Sequence, residues 1–450
     1  MKKLLLLIAY LMFLSFPAKT QSWVTQNVNP LNDGYNFICM SAVDNMTALG
    51  IGFNYGQNSA LGYFLSKTTD GGITWTSSAL GANYFPTSFQ ALNSDTAWLS
   101  INYDNGSVAQ NWYGSLLKTT DGGTTWISNS SIPFDSTSYV EMVHFFNSNE
   151  GVAFGDGPNG FEVYFTSNGG TTWGTSIVPA ALSGEYAFEN HYYVYGNNVW
   201  ITSTEGRVLH SADKGVNWTV AQIDAFSYPT VCRVAFYNSM DGIAVAYDSN
   251  FSSIYDTYIT HDGGSTWIQQ SYSGNLYQAF YGGLFIVPGS NVLISNASSQ
   301  LVNGSSYSLD SGLTWNNIDV NGYGAIDGKG WNSLWTGQYT STIGVGGVAK
   351  WDAVPLGIKQ KETAFNFSIS PNPSNGKFIL EMRNQTKNKL KISVEDITGK
   401  KVFENEYIKN NDFFVQTLDL KNISSGIYFV NVFDGEKSIF KKLIVEQDFE

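Results

Sequence analysis

Six oxygen-bearing side chains recur in one short motif along the 450-residue chain, and a regular row of such groups is the first candidate for chemistry. Asp70, Asp121, Asn168, Asp213, Asp262 and Asp310 each hold the third position of a Ser/Thr-x-Asp-x-Gly-x-Thr-Trp box. The boxes read TTDGGITW (68–75), TTDGGTTW (119–126), TSNGGTTW (166–173), SADKGVNW (211–218), THDGGSTW (260–267) and SLDSGLTW (308–315). A ring of carboxylates could ligate metal ions or serve as general acids and bases. A local cause is sufficient, however. Asp before Gly-Gly is turn chemistry, because the carboxylate accepts backbone N–H bonds and glycine supplies φ > 0. The indoles that follow, Trp75, Trp126, Trp173, Trp218, Trp267 and Trp315, open a strand and are placed to plug the space beneath the turn. A structural role is therefore expected for all twelve residues.

A second set of residues lies in the loops between the second and third strands of each repeat. It comprises the carboxylates Asp104, Asp156, Glu205, Asp248 and Asp256 and the aromatics Trp112, Tyr113, Tyr255 and Tyr339. Two carboxylates facing across a cleft, with aromatic sugar platforms, would serve a glycoside hydrolase. Without that spacing the same residues offer a binding face. Arg207 and Arg233 are rare cations here; Arg207 is expected to pair with Glu205, and an arginine near a central channel could orient an anionic ligand. The oxygen-rich segment 248–256 lacks the closing glutamate of a calcium loop. The four histidines and two cysteines show no metal-site spacing, so neither a metal nor another cofactor is expected.

The elements that must carry these residues follow from the period. Boxes return every ~45–50 residues, which marks a repeat architecture. Each repeat runs through an apolar stretch, a short turn, a small alternating stretch, a variable loop, a strand ending in the box and a strand after Trp. Four short strands joined by turns form one blade of a propeller, and blades must stack because none buries both faces alone. Aromatics at 15%, charged residues at 14% and 45 glycines fit an all-β chain with little helix. A seventh unit follows the sixth box without the Asp turn and without a fourth strand. The segment Ser22-Trp23-Val24-Thr25-Gln26 can supply that strand and remove the open sheet edges. The expected fold is thus a seven-bladed β-propeller over 21–354, closed by the N-terminal strand, with six blades and a lid as the alternative.

The boxes resemble the Asp-box, or BNR repeat, of sialidase-like β-propellers, in which the box joins the two outer strands of a blade away from the active face. Sialidases of that kind hold a carboxylate substrate with three arginines, since a guanidinium grips a carboxylate bidentately. The expected propeller contains only Arg207 and Arg233, so sialidase activity is not expected. Xyloglucan-acting hydrolases are built from similar boxes, and Ycf48-like assembly factors also resemble this ring and bind partner proteins on a face. The basic patch expected of those factors is absent.

The ends of the chain set its destination. A basic Met1-Lys2-Lys3 and an apolar 4–16 read as a signal peptide over 1–20. No transmembrane segment is expected in the mature chain. Cys39 and Cys232, four repeats apart, are expected to be buried free thiols. Residues 355–366 read as a linker, and 367–450 as a small β-sandwich. The tail motifs SPNPSNG, ITGKKV, LDLKNISSGIYFVNV and KKLIV occur in the order of the type A C-terminal sorting domain of the type IX secretion system, which the tail closely resembles. The resemblance implies passage through the secretion machinery to the outer surface of a Gram-negative bacterium. Residues 21–358 carry 7 Lys+Arg against 24 Asp+Glu, whereas 359–450 carry 14 against 13. The acidic body argues against nucleic acid as a partner. The expected function is a secreted or surface binding or scaffold propeller with a glycan or protein ligand, the alternative being a glycoside hydrolase using the loop carboxylates.

Overall fold

In six of the seven blades one hydrogen-bonded box joins the third strand to the fourth. In the first, Thr68 Oγ1 donates to Asp70 Oδ1 at 2.9 Å and accepts from Gly72 N–H at 2.9 Å. Asp70 in turn accepts from Thr74 N–H at 2.9 Å and from Thr74 Oγ1 at 2.5 Å. The same pattern recurs around Asp121, Asp213, Asp262 and Asp310. Asn168 reproduces it, with its Oδ1 accepting from Thr172 N–H and its Nδ2 donating to Thr172 Oγ1. The Trp75, Trp218 and Trp315 indoles are buried, and those of Trp218 and Trp267 donate to the carbonyls of their own box glycines, Gly215 and Gly264.

The computed structural model describes residues 22–445, except 29–34, 55–61, 81–83, 105–111, 224–229, 249–253, 279–281, 300–301, 339–346, 353–365, 371, 373, 384–388, 397–399, 409–412, 421–422 and 434–437. The expected signal peptide, Tyr339 and almost all of the linker lie outside the described residues, as do the side chains of Asp104, Trp112, Asp248 and Tyr255. The chain divides into two compact units at Leu356/Gly357.

The first unit consists of seven antiparallel sheets, each with at least four strands. In the first blade these are Tyr35–Ala42, Ala48–Asn54, Tyr63–Thr68 and Thr76–Ala79, and the next five repeat the order. Their innermost strands are Tyr84–Ala91, Tyr139–Phe145, Ala187–Tyr195, Thr230–Phe236 and Leu284–Ile286. The seventh blade combines Tyr323–Gly328, Leu334–Gln338 and Gly347–Asp352 with Ser22–Asn27, whose register pairs Trp23 with Trp351. Each innermost strand touches the next, and the seventh touches the first, so the ring closes. Trp23 anchors the closure, with its ring 4.8 Å from that of Trp351 and its Nε1–H on Ser305 Oγ. Trp331 opens a single 3₁₀ turn before Leu334–Gln338, and Ser273–Gly274 adds a parallel fifth strand outside the sixth blade. Cys39 and Cys232 are buried free thiols.

In five of the boxes the second glycine leaves no room for a side chain against the preceding blade. A Cβ on Gly72 would lie 2.9 Å from the Trp335 ring, and one on Gly170 would lie 2.6 Å from Trp98. Gly123, Gly215 and Gly312 face Leu65, Val152 and Ile243 in the same way. Gly72 and Gly170 also take a positive φ, at 93° and 80°.

The second unit is a β-sandwich. Asn366–Ser370, Lys377–Arg383 and Phe413–Asp419 form one sheet; Lys401–Ile408, Lys389–Asp396, Gly426–Phe433 and Ser438–Val445 form the other. Phe378, Leu380, Ile392, Val394, Val430 and Leu443 fill its core.

Gly170→Ala forces a side chain into Trp98 in a left-handed backbone conformation and is expected to cost about 2–4 kcal/mol in denaturant unfolding; an unchanged midpoint would contradict the spacer role. Threonine hydroxyls and backbone N–H groups hold Asp70, Asp121 and Asp262 down to about 2 from an ordinary 3.8. Their contribution is complete above the unfolded value and is lost as pH falls toward 2. Replacing all three by Asn, which box three already carries, should flatten the acid limb of the stability curve, read as melting temperature from about pH 5 to about pH 2.

Candidate functional site

The turns that carry the boxes lie on the same side of the ring as the turns between first and second strands. Gly71 N–H bonds Met46 O, Gly122 bonds Asp95 O, Gly169 bonds Asn149 O, and Gly263 bonds Met240 O. The other strand ends therefore form the opposite face. Among the described residues a cluster of ionisable groups lies there, between blades three and four.

A pocket of about 320 Å³ is lined by Tyr139, Glu141, Asp156, Tyr186, Ala187, Phe188 and Glu189. Tyr139 and Glu141 come from the innermost strand of blade three, and Asp156 from the neighbouring Gly151–Gly157. Tyr139 pairs with Asp156 across the two strands, at the end away from the box face. The register slips between Val140 and Met142, so Glu141 is the extra residue of a β-bulge. Such a bulge re-aims its side chain out of the pleat. Blade four supplies the rest through a second irregularity. The pairing of its inner strand breaks between Ala187 and Tyr192, and Asn190 takes φ 57°. Phe188 and Glu189 thereby leave the regular alternation and line the pocket.

Burial governs the electrostatics. Glu141 is only 4% exposed, and its Oε2 makes no hydrogen bond. Its carboxyl lies within interaction reach of that of Asp156 on the neighbouring strand. Desolvation first, then the Asp156 charge, raises Glu141 well above the usual carboxyl range. Asp156 is also raised by burial, although the Glu141 carboxyl and the Ala187 N–H oppose the shift. Burial pushes Glu189 up to about 7. Asp156 accepts from Ala187 N–H at 3.0 and 3.3 Å through its two oxygens.

Behind the pocket Glu185 is buried and fully engaged. Its oxygens accept from Ser203 Oγ at 2.5 Å and Leu182 N–H at 2.7 Å, and Arg207 Nη1 lies 3.3 Å away. This corrects the expected Arg207–Glu205 pair. Glu205 sits in an exposed turn, whereas Arg207 is buried and needs a buried counter-charge; it also donates to Ala180 O at 3.2 Å.

Of the other sequence candidates, Arg233 lines the central cavity, a volume of about 500 Å³ bounded by the inner strands of all seven blades. Its Nη1 donates to Asn190 O at 3.3 Å. Asp256 accepts from Gln269 Nε2 at 2.5 Å on blade five. Tyr113 stacks on Tyr103 within blade two at 5.4 Å. The structure brings Asp156 together with Glu141 and Glu189, two residues absent from the sequence candidates. The signal for Glu141 was a charged residue inside an otherwise apolar inner strand, YVEMVHF.

Residues 368–446 match the family model of the secretion system C-terminal sorting domain. The tail unit is thus a sorting domain of the type IX system, and the protein is exported to the cell surface or the extracellular space. No curated relative matches the chain. Among solved structures it is similar to YCF48 bound to a D1 peptide, at 16% identity over 74% of this chain and 96% of that one, with a TM-score of 0.47. A protein of unknown function from Dyadobacter fermentans is similar at 12% identity over 66% of this chain and 97% of that one (TM-score 0.39). The NanB sialidase of Streptococcus pneumoniae is similar at 14% identity over 72% and 69% (TM-score 0.39).

The buried carboxyls carry a stability cost with a definite sign. Their folded pKa values are raised, so the cost is absent below the ordinary carboxyl range and grows as pH rises through the folded values. Glu141→Gln removes the ionisable group while keeping its size. It is expected to raise the melting temperature at about pH 8 and to leave it unchanged near pH 4. A loss of stability at both pH values would contradict the assignment.

Proposed function

We propose that the propeller is a non-catalytic binding module, delivered by its sorting domain to the cell surface or the surrounding medium, and that the pocket between blades three and four is its ligand seat. The observation that carries this reading is Glu141, a buried carboxyl turned by a β-bulge into a pocket with aromatic walls on the box-free face. A charge-bearing group kept there at a cost to stability is best explained by what it binds.

The carboxyl geometry favours binding over glycoside hydrolysis. Glycosidase pairs stand about 5–9.5 Å apart, so that a sugar carbon and in some cases a water fit between them. Glu141 and Asp156 instead stand on hydrogen-bonded neighbouring strands of one blade rather than on opposite walls of a cleft. The export route agrees with an adhesion or recognition role, and so does an acidic body with few cations.

The test is an array of glycans and peptides probed with the full-length protein and read for both retention and released product. Retention without release, reduced about tenfold or more by Asp156→Asn, is expected. Release of sugar that disappears in Glu141→Gln or Asp156→Asn would replace this reading with a hydrolase.

A further inference from the structure

We infer that this pocket, taken as the ligand seat proposed above, receives a primary ammonium group carried on an aliphatic stem, as on a lysine side chain. The lining comprises three carboxyls, three aromatic rings and Ala187, with no cation among the seven residues. The guanidinium of Arg207 is already held by Glu185 and Ala180 O, and that of Arg233 donates to Asn190 O. Glu141 adds an observation independent of the acidic count, since its buried Oε2 has no partner. A buried acceptor without a donor costs free energy, and an incoming N–H group relieves that cost.

The identity of the cation follows from the acceptors. Among the described residues no group of His, Cys, Asp and Glu is spaced to hold a metal ion. Aromatic walls suit an organic cation, through the ring faces for the charge and the ring bodies for the stem. A guanidinium is gripped best by one carboxylate with both oxygens open to its planar fork. Both Asp156 oxygens already accept from Ala187 N–H. An ammonium presents three rotatable donors and can take one oxygen from each of three separate carboxyls. The surrounding charge agrees, since residues 21–358 hold 24 acidic against 7 basic side chains.

Binding is coupled to protons. The groups facing the pocket are Glu141, Tyr139 and Asp156 from blade three and Glu189 and Tyr186 from blade four. Beyond them stand Glu185 with Arg207, and, past Glu189 in a smaller cavity, Cys39 of blade one and Arg233 of blade five. An ammonium favours the ionised carboxylates, so a proton leaves as the cation enters. Affinity then rises with pH until the carboxyls are ionised without ligand.

Calorimetry on the full-length protein tests this with Nα-acetyl-lysine N-methylamide and its norleucine counterpart, which has the stem but lacks the ammonium. The lysine probe is expected to bind about tenfold or more tightly than the norleucine probe. Its affinity should climb from about pH 5.5 to about pH 8, with proton release seen as a dependence on buffer ionisation heat. Glu141→Gln should weaken it about tenfold, and Glu189→Gln should reduce the pH dependence, both with native circular dichroism. Equal binding of the two probes, or binding of neither, overturns the cation inference. In that event, array retention that still depends on Asp156 leaves the binding-module reading standing, and loss of array retention as well removes both. Tighter binding of an arginine probe than of the lysine probe would also overturn the ammonium assignment.

Discussion

A glycine without room for a methyl group sets the distance between blades. At Gly72, Gly123, Gly170, Gly215 and Gly312 the backbone of a box turn lies directly on a side chain of the preceding blade. The Asp-Thr hydrogen bonds fix the turn, the turn fixes the glycine, and the glycine fixes the spacing. Where the first glycine of the box is replaced, the neighbours tolerate it: Lys214 and Ser311 adopt φ 61° and 59° in its place. The second glycine is present in all six boxes. The box carboxylates are therefore spent on their own turn, and chemistry must be sought elsewhere.

That chemistry arises from a device the fold uses more than once. The innermost strands of blades one to four all break register near their starts, between Phe37 and Cys39, Pro86 and Ser88, Val140 and Met142, and Ala187 and Tyr192. In blade one the extra residue is Ile38, which joins the apolar core. In blade two it is Thr87, whose hydroxyl bonds Val140 O at 2.7 Å. In blade three it is Glu141, and the same backbone event delivers a carboxyl. A bulge that serves packing in two blades becomes a site in the third through one residue type.

This explains what the sequence reveals and what it hides. The repeat period, the Asp-Gly turns and the alternation of short strands lead to the seven sheets, and the Trp23 segment leads to the closing strand, because each is a local or periodic signal. Lys401–Ile408 of the sandwich escapes that reading, because KVFENEYI is largely exposed and carries no apolar alternation. Glu141 and Glu189 escape it for a different reason. Period-two logic assigns each strand residue to one of two faces, and a bulge or an αL residue such as Asn190 resets the count without a turn signal. Arg207 shows the same limit in electrostatics. Its neighbour in sequence, Glu205, is exposed, and its partner Glu185 comes from the preceding connection across the chain fold.

The two faces of the ring are connected through the same pair of blades. On the box face, blades three and four are clamped by Gly215 against Val152, by Ser176 Oγ on Gly215 O at 2.5 Å, by Ile177 N–H on Val216 O and Trp218 N–H on Ile177 O, and by Lys214 on Glu150 at 2.6 Å. On the far face the same blades divide the pocket, with Glu141 and Asp156 on one side and Tyr186, Phe188 and Glu189 on the other. Carboxyls that disfavour their own ionisation would drift apart or admit water if the blades could separate. The clamp prevents this, so the cost of burying them is retained as a preorganised demand for a partner. A pocket shared between two blades therefore depends on the spacing that the box glycine enforces at the opposite end of the interface.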